Sequence, residues 1–340
     1  MTVSPPIWGD ARVLVTGGAG TVGSELTRHL LSLDATVCAL DHDEDGLFRL
    51  RGEFSDEQRQ NLRLFLGDVN EPDRVVTAMK DVDYVFHCAA LKHVELSEYN
   101  PRECYRTNTE GTWNIVRAAI DEGVRSVVVT SSDKAVHPTG VMGASKLLSE
   151  RLAIASNLSS GRSQTRVCCV RFGNIIDSRG SVLTVFRRQR ERGEPLTVTD
   201  PNMTRFFISL EQARDLCMEA AAITEGGELF VRNMGSASIQ DLVDAFMAPE
   251  RLETRVIGSF PGEKAYEELL TAGEALRARS MEGLIVVLPE WAEDPEQAVR
   301  RDFEKYAHGA ALDSPLTSDA ITMSRSDLEA LIPKSASEGH

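Results

Sequence analysis

The sequence predicts an α/β protein built on a doubly wound parallel sheet. Three observations carry this. A glycine-rich loop, Gly17-Gly18-Ala19-Gly20-Thr21-Val22-Gly23, lies directly between a short apolar strand and a helix. Short apolar, β-branched runs then alternate with helical stretches, the pattern that gives parallel strands joined by right-handed crossovers. Several of those runs end in polar or small residues, at the carboxyl ends of strands, where open α/β sheets bind their ligands. With 340 residues, 42% of them hydrophobic, the chain can fill one large core and a smaller lobe.

The first strand is Arg12 to Thr16, and the helix after the glycines reads Ser24 to Leu31. Gly17 permits the tight turn, Gly20 lets backbone approach a pyrophosphate, and Gly23 lets the helix pack close to the strand. Thr21 and Val22 complete the loop at a helix N-terminus, whose N–H groups and dipole suit phosphate. A glycine triplet alone would read equally as a plain turn; its place between strand and helix makes it a dinucleotide signature. The next strand, Thr36 to Leu40, ends in Asp41, an acid placed about 20 residues on to accept from an adenosine ribose. The alternative for Asp41 is an exposed loop acid. Asp43, Glu44 and Asp45 follow, and no Lys or Arg appears until Arg49. A 2′-phosphate would meet carboxylates, so the cofactor expected is NAD, not NADP.

Glu53 to Asn61 reads as a helix end or loop. Leu62 to Leu66 is the third strand, closed by Gly67-Asp68-Val69, and Tyr84 to Cys88 the fourth. Ala89 and Ala90 are small enough for a dinucleotide to lie over the strand ends. A helix runs from Asn108 to Ile120. The fifth strand, Val127 to Thr130, delivers Ser131-Ser132-Asp133-Lys134, and a helix opens at Met142-Gly143-Ala144-Ser145-Lys146. Ser132, Asp133, Lys134 and Lys146 thus gather at one strand end; the alternative is an ordinary turn with an Asp cap. Beyond Gly161 the pattern changes. Arg166 to Arg171 is the sixth strand, followed by Phe172-Gly173-Asn174. Gly180 to Pro201 reads as a loop and a basic helix whose Arg187, Arg188, Arg190 and Arg192 form a mostly solvated face. Met203 to Phe207 precedes a helix over Leu210 to Ala222, and Gly262-Glu263-Lys264 is expected to open a helix through Leu270. Residues 1–172 form the expected cofactor domain, with later segments returning to it. Residues 173–290 form the substrate lobe, and 291–340 a polar, surface-wrapping tail.

The net charge of 37 − 52 = −15 argues against nucleic acid, which is held by Lys and Arg on phosphates. The six cysteines make no CxxC pair and no zinc spacing, so no metal is expected. No basic and apolar leader opens the sequence, and no apolar run reaches the ~18 residues of a membrane span. The expectation is a soluble, cytoplasmic protein.

Taken together, Thr16 to Gly23, Ala90-Leu91-Lys92-His93-Val94, Asp133-Lys134-Ala135, Met142 to Lys146, Met203-Thr204-Arg205-Phe206-Phe207 and Pro261-Gly262-Glu263-Lys264 resemble the extended short-chain dehydrogenase/reductases. Within them they resemble the polysaccharide-biosynthesis UDP-N-acetylglucosamine 4,6-dehydratases. The resemblance spans about Arg12 to Leu270. It implies a Rossmann-like sheet with a smaller C-terminal substrate-binding lobe, a homo-oligomer, and a nucleotide-sugar substrate. It further implies a cycle in which tightly bound NAD oxidises C4, water leaves across C5 and C6, and the hydride returns to C6. Asp133 would protonate the leaving hydroxyl and Lys134 would take the C5 proton. A nearby cation, oxidised nicotinamide or Lys146, would lower the pKa of Lys134 to keep it neutral. Ser132 would hydrogen-bond substrate and Lys146 would hold the nicotinamide ribose. Asp68, Val69, Ala89, Ala90, Lys92 and Asn108 join the cofactor set, and Lys92, Asn174, Arg205 and Glu263 the substrate set.

Two positions depart from the family pattern. Met142 occupies the place of the usual catalytic Tyr, as in one branch of the dehydratases, so its proton-transfer role passes to a water, Ser132 or Lys134. Phe260 stands where the family usually has Arg before Pro-Gly-Glu-Lys, an Arg expected to grip the diphosphate; Arg205 or another arginine would have to compensate. The alternatives are a related 5,6-dehydratase, a C4 epimerase, or a catalytically idle protein that senses NAD or a nucleotide sugar. An epimerase would want Tyr at 142 and has no use for Asp133 and Lys134.

Overall fold

The computed structural model describes residues 8–161, 163–178, 180–247, 252–292 and 303–332. The reading of the extreme N-terminus, and parts of the tail, lie outside the described residues.

Seven parallel strands form the body of a ten-stranded sheet, in the order Leu62–Leu66, Thr36–Asp41, Arg12–Thr16, Tyr84–His87, Ser126–Ser132, Arg166–Phe172 and Leu229–Arg232. The chain builds outward from Arg12–Thr16 in one direction and then resumes on its other side at Tyr84–His87, where Thr16 is in register with His87. That reversal opens a crevice at the carboxyl ends of these two strands. Val13, Leu14, Val15, Val127 and Val128 are fully buried. Such continuous burial explains why these strands read as unbroken apolar runs: both faces of a parallel sheet are covered by helices.

The helices pack on this sheet through apolar stripes. Thr21–Ser32 buries Leu26, Leu30 and Leu31, and starts at the glycine loop itself, earlier than Ser24. Asp43 caps Glu44–Gly52 by accepting from Gly46 N. The helix expected from Asn108 begins as a widened π turn over Arg106–Glu110 before Gly111–Glu122, which Gly123 ends at φ +71°. Val141–Ser159 follows the fifth strand.

Three antiparallel strands, Leu284–Val287, Ala278–Met281 and Ala310–Ala311, complete the sheet beyond Leu229–Arg232. A second apolar cluster, with Leu183, Phe186, Leu196, Phe207, Leu242 and Phe246, builds the smaller lobe. Its sheet joins Asn174–Ile175, Thr204–Ile208 and Gly235–Ser238. The basic helix is Val182–Glu191. Arg188 and Arg192 are exposed, but Arg187 pairs with Asp177 and Arg190 lies 4.8 Å over the Phe246 ring, so the face is less solvated than expected.

The helix expected from Gly262 to Leu270 does not form. Gly262 has φ +86°, a left-handed turn rather than a helical start. Glu268–Leu270 is a strand, antiparallel to Leu316–Thr317. Its partner lies far along the chain, so no local pattern announces it. The tail carries anchors as well as polar surface: Phe303 and Tyr306 enter the main core and Leu328 enters the second.

Candidate active site

A cavity of about 810 Å³ runs along the carboxyl ends of the parallel strands. Its floor is the glycine loop, and the three glycines do different work. A Cβ on Gly17 would lie 2.8 Å from Ala89 N, so this turn presses directly on the neighbouring strand end. A Cβ on Gly23 would lie 2.1 Å from Gly17 O, so Gly23 sets the approach of helix to loop. A Cβ on Gly20 would meet only Gly17 O at 3.1 Å, and Gly20 borders the cavity, so here the missing side chain leaves room for a ligand. Thr21 and Val22 border it beside Gly20.

Asp41 lies at the rim, 8% exposed. Its Oδ2 accepts from Ala19 N at 2.9 Å and its Oδ1 from Asp43 N at 3.0 Å, which fix the carboxylate in place. Arg49 is engaged with Asp43 at 3.5 Å. Asp68 and Val69 line the wall next to Asp41, with Val69 packed so closely on Gly111 that a Cβ there would come within 2.6 Å. Ala89, Ala90 and Lys92 line the opposite rim. Asn108 does not reach the cavity. It is 1% exposed and spends its amide on Leu91 N (2.7 Å), Leu91 O (3.0 Å) and Ser145 Oγ (2.9 Å). It clamps the Leu91 loop to the Val141–Ser159 helix, behind the wall it was expected to line.

The fifth strand delivers the chemical groups. Lys146, 8% exposed, donates to Thr130 O at 2.9 Å, and burial lowers its pKa. Met142 borders the cavity with a side chain that has no exchangeable proton. Asp133 is fully buried. Its Oδ1 accepts from Ser132 Oγ at 2.7 Å and from Lys134 Nζ at 3.0 Å, so the Ser132 hydroxyl is directed at the acid. Asp133 Oδ2 is buried with no hydrogen-bond partner. An unsatisfied buried acceptor is costly and calls for a reason. Gly143 makes the arrangement possible, because a Cβ there would lie 2.2 Å from Lys134 O.

Lys134 Nζ also donates to Asn174 Oδ1 at 3.3 Å and lies 3.5 Å from Glu267 Oε1. Burial pushes its pKa down, but the charges of Asp133 and Glu267 outweigh burial and hold it above the ordinary lysine value. The expectation of a lysine neutralised by Lys146 is therefore corrected: here two carboxylates keep the ammonium charged. Beside it, a smaller cavity of about 160 Å³ shares Lys134, Met142 and Asn174 with the large one. Arg205, 6% exposed, and Glu263 border this smaller cavity rather than the large one. Arg205 donates to Thr204 O at 2.8 Å and Met203 Sδ at 3.1 Å, and Glu263 accepts from Phe260 N at 2.9 Å. Among the described residues, the lysines and arginines on the large cavity are Lys92, Lys134 and Lys146, so Arg205 is not positioned there to replace the missing Arg at 260.

Glu267 is the residue that sequence reasoning missed. It sits among ordinary-looking acids, in a stretch read as helix, and only the pairing of Glu268–Leu270 with the tail swings it onto Lys134. No group of His, Cys, Asp and Glu able to hold a metal occurs among the described residues. No helix among them is long and apolar enough to cross a membrane.

Residues 13–289 match the model of a family described as polysaccharide biosynthesis protein. An uncharacterized membrane protein of Methanocaldococcus jannaschii is 43% identical over 82% of this chain and 86% of its own length. The UDP-N-acetylglucosamine 4,6-dehydratase (inverting) of Campylobacter jejuni is 36% identical over 82% of each chain. A UDP-glucose 4-epimerase of Rickettsia bellii is 37% identical over 80% of this chain and 81% of its own. Among solved structures, Pen from Bacillus thuringiensis superposes with a TM-score of 0.88 at 37% identity, covering 96% of this chain and 98% of that one. MoeE5, solved with UDP-glucuronic acid and NAD, has a TM-score of 0.65 at 27% identity over 74% of this chain and 87% of that one.

Proposed function

The chain belongs to the polysaccharide biosynthesis protein family, and from that premise we propose that it is an NAD-dependent nucleotide-sugar 4,6-dehydratase whose substrate is UDP-N-acetylglucosamine. The observation that carries this reading is the Asp133–Lys134 pair, in which Lys134 lines the cavity and the fully buried Asp133 beside it keeps one carboxylate oxygen without a hydrogen-bond partner. A dehydratase needs an acid and a base side by side; a C4 epimerase does not.

NAD fits the residues present. Gly20 leaves open space where the pyrophosphate belongs, and Asp41 stands fixed at the rim for a ribose. Asp43 and its neighbouring acids oppose a 2′-phosphate, and Arg49, the first arginine after Asp41 in the sequence, is already paired with Asp43. Bound NAD supplies the oxidation at C4 and the matching reduction at C6. Lys146, anchored on Thr130, is the group to hold the nicotinamide ribose. The Lys134 proton passes to Asp133 along their 3.0 Å hydrogen bond; Lys134, then neutral, takes the C5 proton, and Asp133 gives its proton to the departing C6 hydroxyl. The elimination thus leaves the proton on Lys134 and the charge on Asp133, the ion pair seen here at 3.0 Å. As C6 is reduced, C5 regains a proton from Lys134 or solvent, and the proton released by the C4 hydroxyl makes up the loss. With Met142 inert, the C4 hydroxyl proton falls to Ser132, Lys134 or a water.

The test is incubation of the protein with UDP-N-acetylglucosamine and NMR of the product. A UDP-4-keto-6-deoxy sugar supports the reading. A 4-epimer, a 5,6-ene or unchanged substrate would replace it with the epimerase, the 5,6-dehydratase or the idle binder. Nucleotide released on denaturation should be NAD; mainly NADP would overturn the cofactor assignment.

A further inference from the structure

We infer that Glu267 is a positioning residue for the elimination, which aims the Lys134 ammonium and sets how readily it gives up its proton. The inference rests on Lys134 being the C5 base. Glu267 is 3% exposed, and its Oε1 lies 3.5 Å from Lys134 Nζ. Its backbone is fixed to the tail: Glu267 N donates to Ser318 Oγ at 2.8 Å, and Ser318 N donates to Glu267 O at 2.8 Å. Its Oε2 is buried with no hydrogen-bond partner, 3.6 Å from Lys264 Nζ. The charged groups facing it are therefore Lys134, Lys264, Arg205 and Asp133, with Glu263 bordering the same small cavity.

A structural acid would not be built this way. Burying an ionised carboxylate with one oxygen unsatisfied is expensive, and a well-packed apolar side chain often serves stability better. Burial pushes Glu267 above the ordinary carboxylate pKa, against the pull of Lys134 and the other cations. What the charge does accomplish is to oppose deprotonation of Lys134. An opposite charge at this range moves a pKa by about 1–3 units. The base must be neutral to accept a proton, and the Glu267 charge opposes that form. Taking away the Glu267 charge lowers the Lys134 pKa.

The experiment compares the NAD-loaded wild type with Glu267→Gln, which keeps the shape and removes the charge. Lysine side-chain NMR, with the Lys134 signal assigned through Lys134→Met, gives the titration midpoint without substrate. The expected result is a midpoint lower by about 1–3 units and unchanged NAD content. An unmoved midpoint overturns the inference, even if turnover drops, because a merely structural role would slow the enzyme without moving that midpoint. Should the amide variant fail to fold, Glu267→Asp draws the charge back by one methylene; a smaller shift in the same direction is expected, and none overturns the inference. Absence of dehydrated product from the wild type would sink the proposed function alone, since the NMR midpoint reads the Glu267–Lys134 coupling independently of turnover.

Discussion

Two buried ionic clusters sit one strand apart, and they are built on opposite principles. In the first, Arg171, 1% exposed, spends all five guanidinium donors. Its Nε and one NH2 hydrogen reach Glu150 at 3.0 and 2.6 Å, the other NH2 hydrogen and one on NH1 reach Glu274 at 3.1 Å, and the remaining NH1 hydrogen goes to Leu269 O at 2.7 Å. In the second, Lys134 faces Asp133 and Glu267, and each of those acids keeps one buried oxygen without a hydrogen-bond partner. One short segment serves both, with Glu267 in the second cluster and Glu274 in the first. The difference separates an ionic group that holds the fold from one held ready for something that has yet to arrive. A satisfied cluster has no capacity left for a substrate, and an unsatisfied one has.

The largest effect expected from breaking the first cluster is on stability. Arg171→Met leaves Glu150 and Glu274 buried and uncompensated, which should cost about 3–5 kcal/mol in urea denaturation, while the folded fraction keeps its turnover. The same substitution logic gives the reverse in the second cluster. Asp133→Asn keeps the acceptor for Ser132 and Lys134 but cannot protonate a leaving hydroxyl. Turnover should fall by ~10²–10⁴-fold, with the unfolding midpoint unmoved or raised. If Asp133→Asn unfolds the protein and Arg171→Met does not, the two clusters have been assigned the wrong way round.

Two smaller tests sharpen the contrast at the cofactor end. Gly20→Val should fold and lose NAD, because its side chain enters open cavity; Gly23→Val should not fold, because it drives into Gly17 O. Ultraviolet absorbance of the purified variants reads bound nucleotide directly, and wild-type NAD content in Gly20→Val would mean the loop has been misread. Met142→Leu is the mildest change. It preserves volume at a 4% exposed site, where such swaps cost under about 1.5 kcal/mol, and steady-state kinetics should stay within a factor of a few of wild type.

The same contrast explains what could be read from the chain. The glycine loop, Asp41, and the Asp133–Lys134 turn are each local: strand, loop and helix follow one another directly, so their spacing carries the geometry. Six of the seven strands of the parallel body were legible for the same reason, and the seventh, Leu229–Arg232, was not. Glu267 was not, because its place depends on Glu268–Leu270 pairing with Leu316–Thr317, and a stretch with Glu-Lys near its start mimics helix. Asn108 was misplaced by a single wall thickness: proximity to the cavity in sequence did not say which side of the Leu91 loop its amide would face. Nor did the spacing of Lys134 reveal that a second acid would keep it charged. Pairings across long separations and the direction of one side chain are the two things a linear pattern does not encode.

The central claim is that Lys134 is the base that removes the C5 proton, and deuterium uptake tests it most directly. Wild type and Lys134→Met, both loaded with NAD, are incubated with UDP-N-acetylglucosamine in D₂O, and C5 is read by NMR. Wild type should incorporate solvent deuterium at C5 of the 4-keto-6-deoxy product, and Lys134→Met should bind NAD normally yet lose exchange and product by ~10²–10⁴-fold. Exchange and turnover at the wild-type rate in Lys134→Met would contradict the claim and move the base to another residue.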